Sequence, residues 1–175
     1  DLCDEYSLFL IEDVAESFGS KFNEKYDGVF GDISTFSFFG NKTITTGEGG
    51  MVYSTNSELI EKANYLKNQA VDGDREYWHS HIGFNYRMTN MQAAIGLAQL
   101  EKSELILNKK QVLASIYKKD LEALPITFQG HIKGSFHSYW MVSILLENEK
   151  TKNLLRKYLK EMNIETRPVF YPANK

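Results

Sequence analysis

Two side chains in this sequence have the types and the setting for amine chemistry. Lys42 stands in "SFFGNKTITTGEGGM" (37–51), directly after "ISTFSFFG", a β-branched and aromatic run of the kind that forms a strand covered on both faces. Gly40 ends that strand, and Gly47, Gly49 and Gly50 permit a tight return into a second strand, "MVYST". A lysine on such a turn is either a surface residue whose stem snorkels or an amine placed for reaction. Asp13 closes "SLFLIEDV", an apolar strand whose acidic residues, Glu12 and Asp13, fall at its carboxyl end. Open α/β sheets bind ligands beyond the carboxyl ends of their strands, so Asp13 and Lys42 can face one crevice. An amine that condenses with an aldehyde, and a carboxylate that pairs with a protonated pyridine nitrogen, are the minimum for a pyridoxal phosphate site. The same two residue types also form ordinary ion pairs, and an aspartate at a strand–helix junction can equally be a cap.

The elements that must position this pair set the next question. At 175 residues, with 42% hydrophobic and 25% charged content, the chain is long enough for a real core. A net charge of -3 gives no reason to expect a nucleic-acid or anionic-membrane surface. The single cysteine, Cys3, excludes an internal disulfide and fits a reducing compartment. No apolar run approaches the roughly 20 residues that span a bilayer, and no signal-peptide pattern stands at the start. These features read as a cytoplasmic protein. A strand buried on both faces needs neighbours, however, and few strands are at hand. With its abrupt opening at Asp1 and its close on "ETRPVFYPANK", the chain reads as an interior piece of a longer protein.

Along the chain, "SKFNEKYDGVFGD" reads as a loop, and "STNSELIEKANYLKNQ" as a helix capped by Asn56 or Ser57. The stretch from Ala70 to Tyr86 is long, aromatic and polar, which suggests a functional loop. Its His79 and His81 lack companion Cys or carboxylate residues at ligand spacing, so no metal site is expected. Its Tyr77 and Trp78 suit packing as well as substrate stacking. Thr89 with Gln92 forms a capping-box pattern, opening one long helix that runs to Pro125. The first turns of that helix carry Ala93, Ala94, Gly96 and Ala98, small residues that allow close packing; farther on, Leu105, Val112 and Tyr117 alternate with lysines on a solvated face. A strand, "HSYWMVSILL", a helix, "TKNLLRKYLKEM", and an extended "IETRPVF" follow, the order expected at the start of a smaller α/β domain.

Three longer stretches, "IEDVAESFGS", "GDISTFSFFGNKTITTGEGGMV" and "IGFNYRMTNMQAAIGLAQLEK", resemble the DegT/StrS-type family of pyridoxal-phosphate-dependent sugar aminotransferases, in the family's order and through essentially the whole chain. The resemblance implies an α/β fold of the fold-type I transferases. Residues 1–108 would be the C-terminal part of the large, mainly parallel-sheet, cofactor-binding domain. Residues 109–175 would be the end of the bridging helix and the start of the small C-terminal domain. By position, the lysine that holds pyridoxal 5'-phosphate falls on Lys42, and the acidic residue on the pyridine nitrogen falls on Asp13. Glu16 stands where glutamine is common, near the ring's O3 face; a carboxylate there must be protonated or turned away. The phosphate-donating serine falls on Ser37. The asparagine that reaches the phosphate from the neighbouring subunit falls on Asn85, which implies a homodimer with shared sites. Glu48 reads as structural in its glycine-rich turn, and Arg87 as a partner for ligand or for a carboxylate across the subunit boundary.

Within the family, "FFGNKTITTGEGGM" and "IETRPVFYP" are similar to members that aminate the 4-keto group of a nucleotide-linked 4-keto-6-deoxyhexose. The substrate this implies is such a keto sugar, with L-glutamate as amino donor and surface-polysaccharide sugars as product. Relatives that act as sugar 3-dehydratases carry histidine at the position of Lys42, so the lysine favours amino transfer. A sugar 3-aminotransferase and a non-catalytic binding relative remain the other readings of the same residues.

Overall fold

A computed structural model of the chain describes residues 2–174. In chain order its elements are α1 (Leu2–Tyr6), β1 (Ile11–Asp13), β2 (Lys21–Phe22), β3 (Lys25–Tyr26), β4 (Ile33–Ser37) and β5 (Gly50–Tyr53), then α2 (Ser57–Lys67), α3 (Asn90–Leu100) and α4 (Ser103–Asp120). They close with β6 (Thr127–Phe128), β7 (Ser135–Phe136), β8 (Ile144–Leu145) and α5 (Glu149–Glu161). The chain divides into two compact units, residues 1–111 with 132–140, and residues 112–131 with 141–175. Among the described residues, no helix is long and apolar enough to cross a membrane.

The first unit is built on a three-stranded sheet in the order β1-β4-β5. β1 and β4 run parallel, with Ile11, Glu12 and Asp13 opposite Ile33, Ser34 and Thr35. β5 returns antiparallel on the other side of β4, from Ser37↔Gly50 to Ser34↔Tyr53. The chain between β1 and β4 folds over one face of this sheet, where Ser34 Oγ donates to Gly28 O at 2.9 Å and Val14 and Ser34 are buried. Only one face is covered in this way. Within this chain the apolar run before Asp13 leaves Ile11 68% exposed and Phe9 84%. Only its last residues pair, because the strand finds one partner, β4.

One loop and one strand assignment from the sequence change here. "SKFNEKYDGVFGD" contains a hairpin: β2 and β3 pair antiparallel around Asn23 and Glu24, both at positive φ (47° and 67°). Two left-handed residues in succession make the type I′ turn that matches strand twist. β2 takes β7 as its second neighbour, through Lys21↔Phe136 and Phe22↔Ser135. Of the expected strand "HSYWMVSILL" (137–146) only Ile144–Leu145 is strand, as β8, which pairs with β6 in the second unit; β7 ends just before it at Phe136, and Tyr139 adopts φ 51°. A left-handed residue takes the chain out of the extended region, so the ladder cannot run through it.

The helices follow their caps. Asn56 Oδ1 accepts the Glu58 and Leu59 N–H groups at the start of α2. Thr89 and Gln92 make a reciprocal capping box at the start of α3. The single long helix read from the sequence is two. The Lys102 N–H turns back to Gln99 O, three residues away, and α4 starts afresh with Ile106 N–H donating to Lys102 O. On α4, Leu105, Val112 and Tyr117 are exposed, while Ile106, Leu107, Lys110, Gln111 and Ala114 recur at helical spacing along the less exposed side. In the second unit, Asn148 Oδ1 caps α5 by accepting the Thr151 N–H, and Gln129 ties β6 to β8 by bonding Met141 O and Ser143 N.

α3 approaches the turn after β4 at Gly96, where a Cβ would lie 2.7 Å from the Thr46 Cγ2 methyl. A glycine inside a helix costs about 0.5–1 kcal/mol relative to alanine, so contact here offsets a propensity loss. Gly96→Ala should therefore lower stability despite its better helix propensity, by an overpacking cost of about 1–3 kcal/mol before that gain is subtracted. Thr46→Ser removes the offending methyl and keeps the hydroxyl, so it should recover most of the loss in the double variant. Thermal melts of the two single variants and the double would decide the point, and an unchanged or raised melting temperature for Gly96→Ala alone would refute the close-packing role.

Candidate active site

The geometry of the site starts with strand alternation. Glu12 accepts three backbone N–H groups: Gly28 at Oε2 (2.8 Å), and Phe30 (2.7 Å) and Gly31 (2.6 Å) at Oε1. Its side chain therefore lies on the loop-covered face of the sheet, together with Ser34. Neighbouring residues on a strand point to opposite faces. Asp13 thus lies on the other face, and with it Thr35, its register partner, and Ser37, two residues farther along β4. The sheet sorts the two acids. Glu12 fastens a loop, and Asp13 is exposed at the carboxyl edge. One Asp13 oxygen accepts the Ala15 N–H at 3.0 Å, fixing the turn after β1, where no helix follows for it to cap. Ser37 Oγ accepts the Phe39 N–H at 3.4 Å.

Lys42 lies in the turn between β4 and β5, and that turn is rigid for identifiable reasons. The Lys42 N–H donates to Phe39 O (3.0 Å), and the Thr46 N–H and Thr45 Oγ1 both donate to Phe38 O at 2.9 Å. Gln99 on α3 clasps Thr45 at both ends, accepting its N–H (3.1 Å) and donating to its carbonyl (2.7 Å). Gln92 Nε2 and Thr46 Oγ1 both donate to Glu48 O, so Glu48 contributes to the turn through its backbone. Thr43, Ile44 and Thr46 are buried beneath it.

The Lys42 side chain leaves this base and is only 13% exposed. Its Nζ lies 3.4 Å from Glu16 Oε1, in the turn after β1. The ammonium also sits 4.3 Å from the centroid of the Trp140 ring. Trp140 is the residue the sequence did not disclose, because it lies 98 positions away and enters through a broken strand. The structure thus brings together the turn carrying Asp13 and Glu16 and the turn carrying Lys42. Glu16, the departure from the family pattern, is directed at the lysine.

Asn85 sits elsewhere in the same unit and bonds none of these four residues. Its neighbours pin it to the end of α2: Phe84 N–H donates to Leu66 O (2.7 Å), Tyr86 N–H to Lys67 O (3.0 Å), and Gln69 N–H to Phe84 O (2.9 Å). Arg87 donates to Asn68 Oδ1 at 3.2 Å. The long loop before Asn85 is organised by Asp72. Tyr65 Oη donates to Asp72 Oδ1 at 2.8 Å, Ser80 Oγ donates to Asp72 Oδ2, and the Asp72 N–H donates to Trp78 O. These two hydroxyl donors, Ser80 foremost, hold the Asp72 carboxyl below its ordinary value, while the bond to Asp72 raises the Tyr65 phenol. The Arg75 guanidinium stacks 3.9 Å over the Trp78 ring, which accounts for Trp78 by packing. His79 Nδ1 bonds Gln69 O, and His81 Nδ1 lies 3.3 Å from Tyr65 Oη. Among the described residues no three His, Cys, Asp or Glu side chains form a group able to hold a metal ion.

Comparison with known proteins gives this geometry a context. The profile of the DegT/DnrJ/EryC1/StrS aminotransferase family matches residues 1–175. A GDP-perosamine synthase of Vibrio cholerae is 51% identical over 176 aligned positions, covering 99% of this chain and 48% of the relative. One from Escherichia coli O157:H7 is 52% identical over 174, again covering 99% and 48%. Helicobacter pylori PseC, an aminotransferase involved in the biosynthesis of pseudoaminic acid, superposes with a TM-score of 0.84 at 30% identity, over 92% of this chain and 45% of that structure. The chain thus spans about half the length of the curated relatives it matches.

The Asp72 clamp has a pH signature. Its carboxyl is depressed in the fold, so its contribution is fully present above the ordinary value of 3.8 and is lost as pH falls through the lower, folded value. Peptide-resolved hydrogen exchange should show residues 69–86 losing protection in acid below that value. Asp72→Ala should produce the same local loss at neutral pH while residues 33–53 stay protected. Unaltered exchange in 69–86 for this variant would show that the clamp does not organise the loop.

Proposed function

Because the chain belongs to the DegT/DnrJ/EryC1/StrS aminotransferase family, we propose that the longer protein it forms part of transfers an amino group to a nucleotide-linked 4-keto-6-deoxy sugar. L-Glutamate is the donor, and the product serves surface-polysaccharide synthesis in the cytoplasm. The observation that carries this reading is the approach of Lys42 Nζ to Glu16 beside the carboxyl end of β1, where Asp13 is exposed. Identity above 50% to two GDP-perosamine synthases supports the 4-keto-6-deoxy class of sugar.

The residues fit pyridoxal 5'-phosphate. A shielded amine, an exposed carboxylate at a parallel-strand terminus and a hydroxyl on the same sheet face as that carboxylate are the donor set the cofactor requires. When bound, it supplies an electrophilic aldehyde and an electron-accepting ring. Lys42 would hold the aldehyde carbon, and its amine, once freed, would carry a proton to and from the donor and the sugar. Asp13 would keep the ring nitrogen protonated. Ser37 would donate to the phosphate, and Asn85, exposed and backbone-fixed, would reach the phosphate of a neighbouring subunit in a homodimer with shared sites. Glu16 bears on the lysine rather than on the ring's O3. Residues 1–108 serve as the C-terminal part of the large domain, and residues 109–175 as the end of the bridging helix and the start of the small one.

Two experiments test this function. The full-length protein incubated with pyridoxal 5'-phosphate and then borohydride should carry the reduced label on Lys42, and Lys42→Ala should abolish amino transfer; a label mapped to another lysine would overturn the assignment. A panel of keto-sugar nucleotides with L-glutamate, read by mass, should show nitrogen gained on 4-keto-6-deoxy members. Amination of 3-keto sugars alone would redirect the reading to a 3-aminotransferase, and loss of water without nitrogen to a dehydratase.

A further inference from the structure

We propose that Trp140 is the positioning residue of the Lys42 amine: its indole face and the Glu16 carboxylate together hold the ammonium in one place whenever it is not covalently engaged. The inference rests on Lys42 being the reactive lysine. Nζ lies 4.3 Å from the ring centroid and 3.4 Å from Glu16 Oε1, so two attractive surfaces meet one cation. A half-exposed ion pair in contact with water contributes little by itself. The indole face, the strongest cation–π partner among the aromatic side chains, supplies a second contact and shields the amine from solvent.

The position of the indole is set independently of the lysine. Every residue of the segment 137–140 is fastened within the first unit. Gln111 Nε2 donates to His137 O, and Ser138, fully buried, exchanges bonds with Ser20: its N–H donates to Ser20 Oγ (3.1 Å), and Ser20 Oγ donates to Ser138 Oγ (2.9 Å). The Tyr139 N–H donates to His137 Nδ1 at 2.8 Å. Lys110 Nζ donates to Trp140 O at 3.2 Å, and the Trp140 indole N–H donates to Asn41 O at 2.8 Å. That last bond ties the ring edge to the residue immediately before Lys42. Tyr139 is left-handed at φ 51°, a conformation a tyrosine holds only where its surroundings over-determine it. The strained turn redirects the chain out of β7 and brings the indole back over the lysine. Lys110 and Gln111 are the inward-facing polar residues of α4, so part of that helix serves this one segment.

A lysine has four rotatable side-chain bonds and otherwise spreads its amine over a wide volume. Held against Trp140, the amine that leaves the aldehyde carbon stays beside the site and returns to the same atom. Trp140 acts only through the lysine amine that it holds.

The test uses the full-length protein without cofactor and a trace of sulfosuccinimidyl acetate, with acetylation of Lys42 measured by peptide mass relative to Lys62. Trp140→Leu should raise Lys42 labelling about two- to thirtyfold, the range expected for a cation–π contact between its exposed and desolvated limits. Trp140→Phe keeps an aromatic face and should return most of the way to the parent rate. With cofactor and substrates, the leucine variant should lose kcat more than it raises KM for the sugar. Lys42 labelling that is unchanged in a folded Trp140→Leu protein would overturn the proposal. If the leucine variant does not fold, tryptophan emission decides: Lys42→Met should shift it in the parent and leave it unchanged in a Trp140→Phe background, and equal spectra with and without the lysine in the parent would overturn the contact. Failure of borohydride to label Lys42 removes the functional reading while these cofactor-free measurements stand or fall by themselves.

Discussion

Parallel pairing of β1 with β4 is the constraint on which the site depends. Two strands that run in the same direction end at the same edge of the sheet, and the turns that follow them emerge there together. β1 ends on Asp13 and the turn after it carries Glu16, while the turn after β4 carries Lys42, so groups from two separate segments share one edge. The register Asp13↔Thr35 then sorts faces. Asp13, Thr35 and Ser37 fall on one side, and Glu12 and Ser34 on the side closed by the loop that Glu12 holds through Gly28, Phe30 and Gly31. A slip of one residue would exchange the two acids and leave the loop amides without their acceptor.

Placing Lys42 is a separate problem, solved by helix and turn together. The turn between β4 and β5 is too long to be fixed by its strands, and its backbone groups find partners on α3. Gln99 satisfies both main-chain groups of Thr45, Gln92 bonds Glu48 O, and the absence of a side chain at Gly96 lets the helix lie against Thr46. Buried backbone groups left without such partners would each cost about 1–3 kcal/mol, so α3 is part of the site's rigidity although no α3 side chain reaches Lys42 Nζ. The capping box at Thr89 fixes where that helix begins and therefore which of its residues face the turn.

The segment 137–140 shows how polar residues can be placed by tertiary need. Lysine and glutamine in an amphipathic helix ordinarily face solvent. The structure instead turns Lys110 and Gln111 inward, where they bond the carbonyls of Trp140 and His137. Burial lowers the Lys110 ammonium below its ordinary value, so this arrangement carries a desolvation cost that the carbonyl bond offsets. Periodicity ranks residues by apolar character and cannot register a polar partner on another segment.

Much that is local was legible in the sequence. The caps Asn56 and Thr89 precede their helices because short polar side chains satisfy the first free N–H groups, which is a property of a few adjacent residues. The wording around Asp13 and Lys42 disclosed the family and the α/β fold class in the same way. What the sequence did not contain were contacts between remote segments. The pairing of β2 with β7, the bonds from α4 to segment 137–140, and the Trp140 ring over Lys42 each depend on where another part of the chain lies. Glu12 and Asp13 are equivalent acids in the sequence, and only the sheet makes one a loop anchor and exposes the other. The reason is that side-chain type and spacing act over a turn of helix or strand, whereas burial, register and the direction of a charged group are properties of the packed molecule.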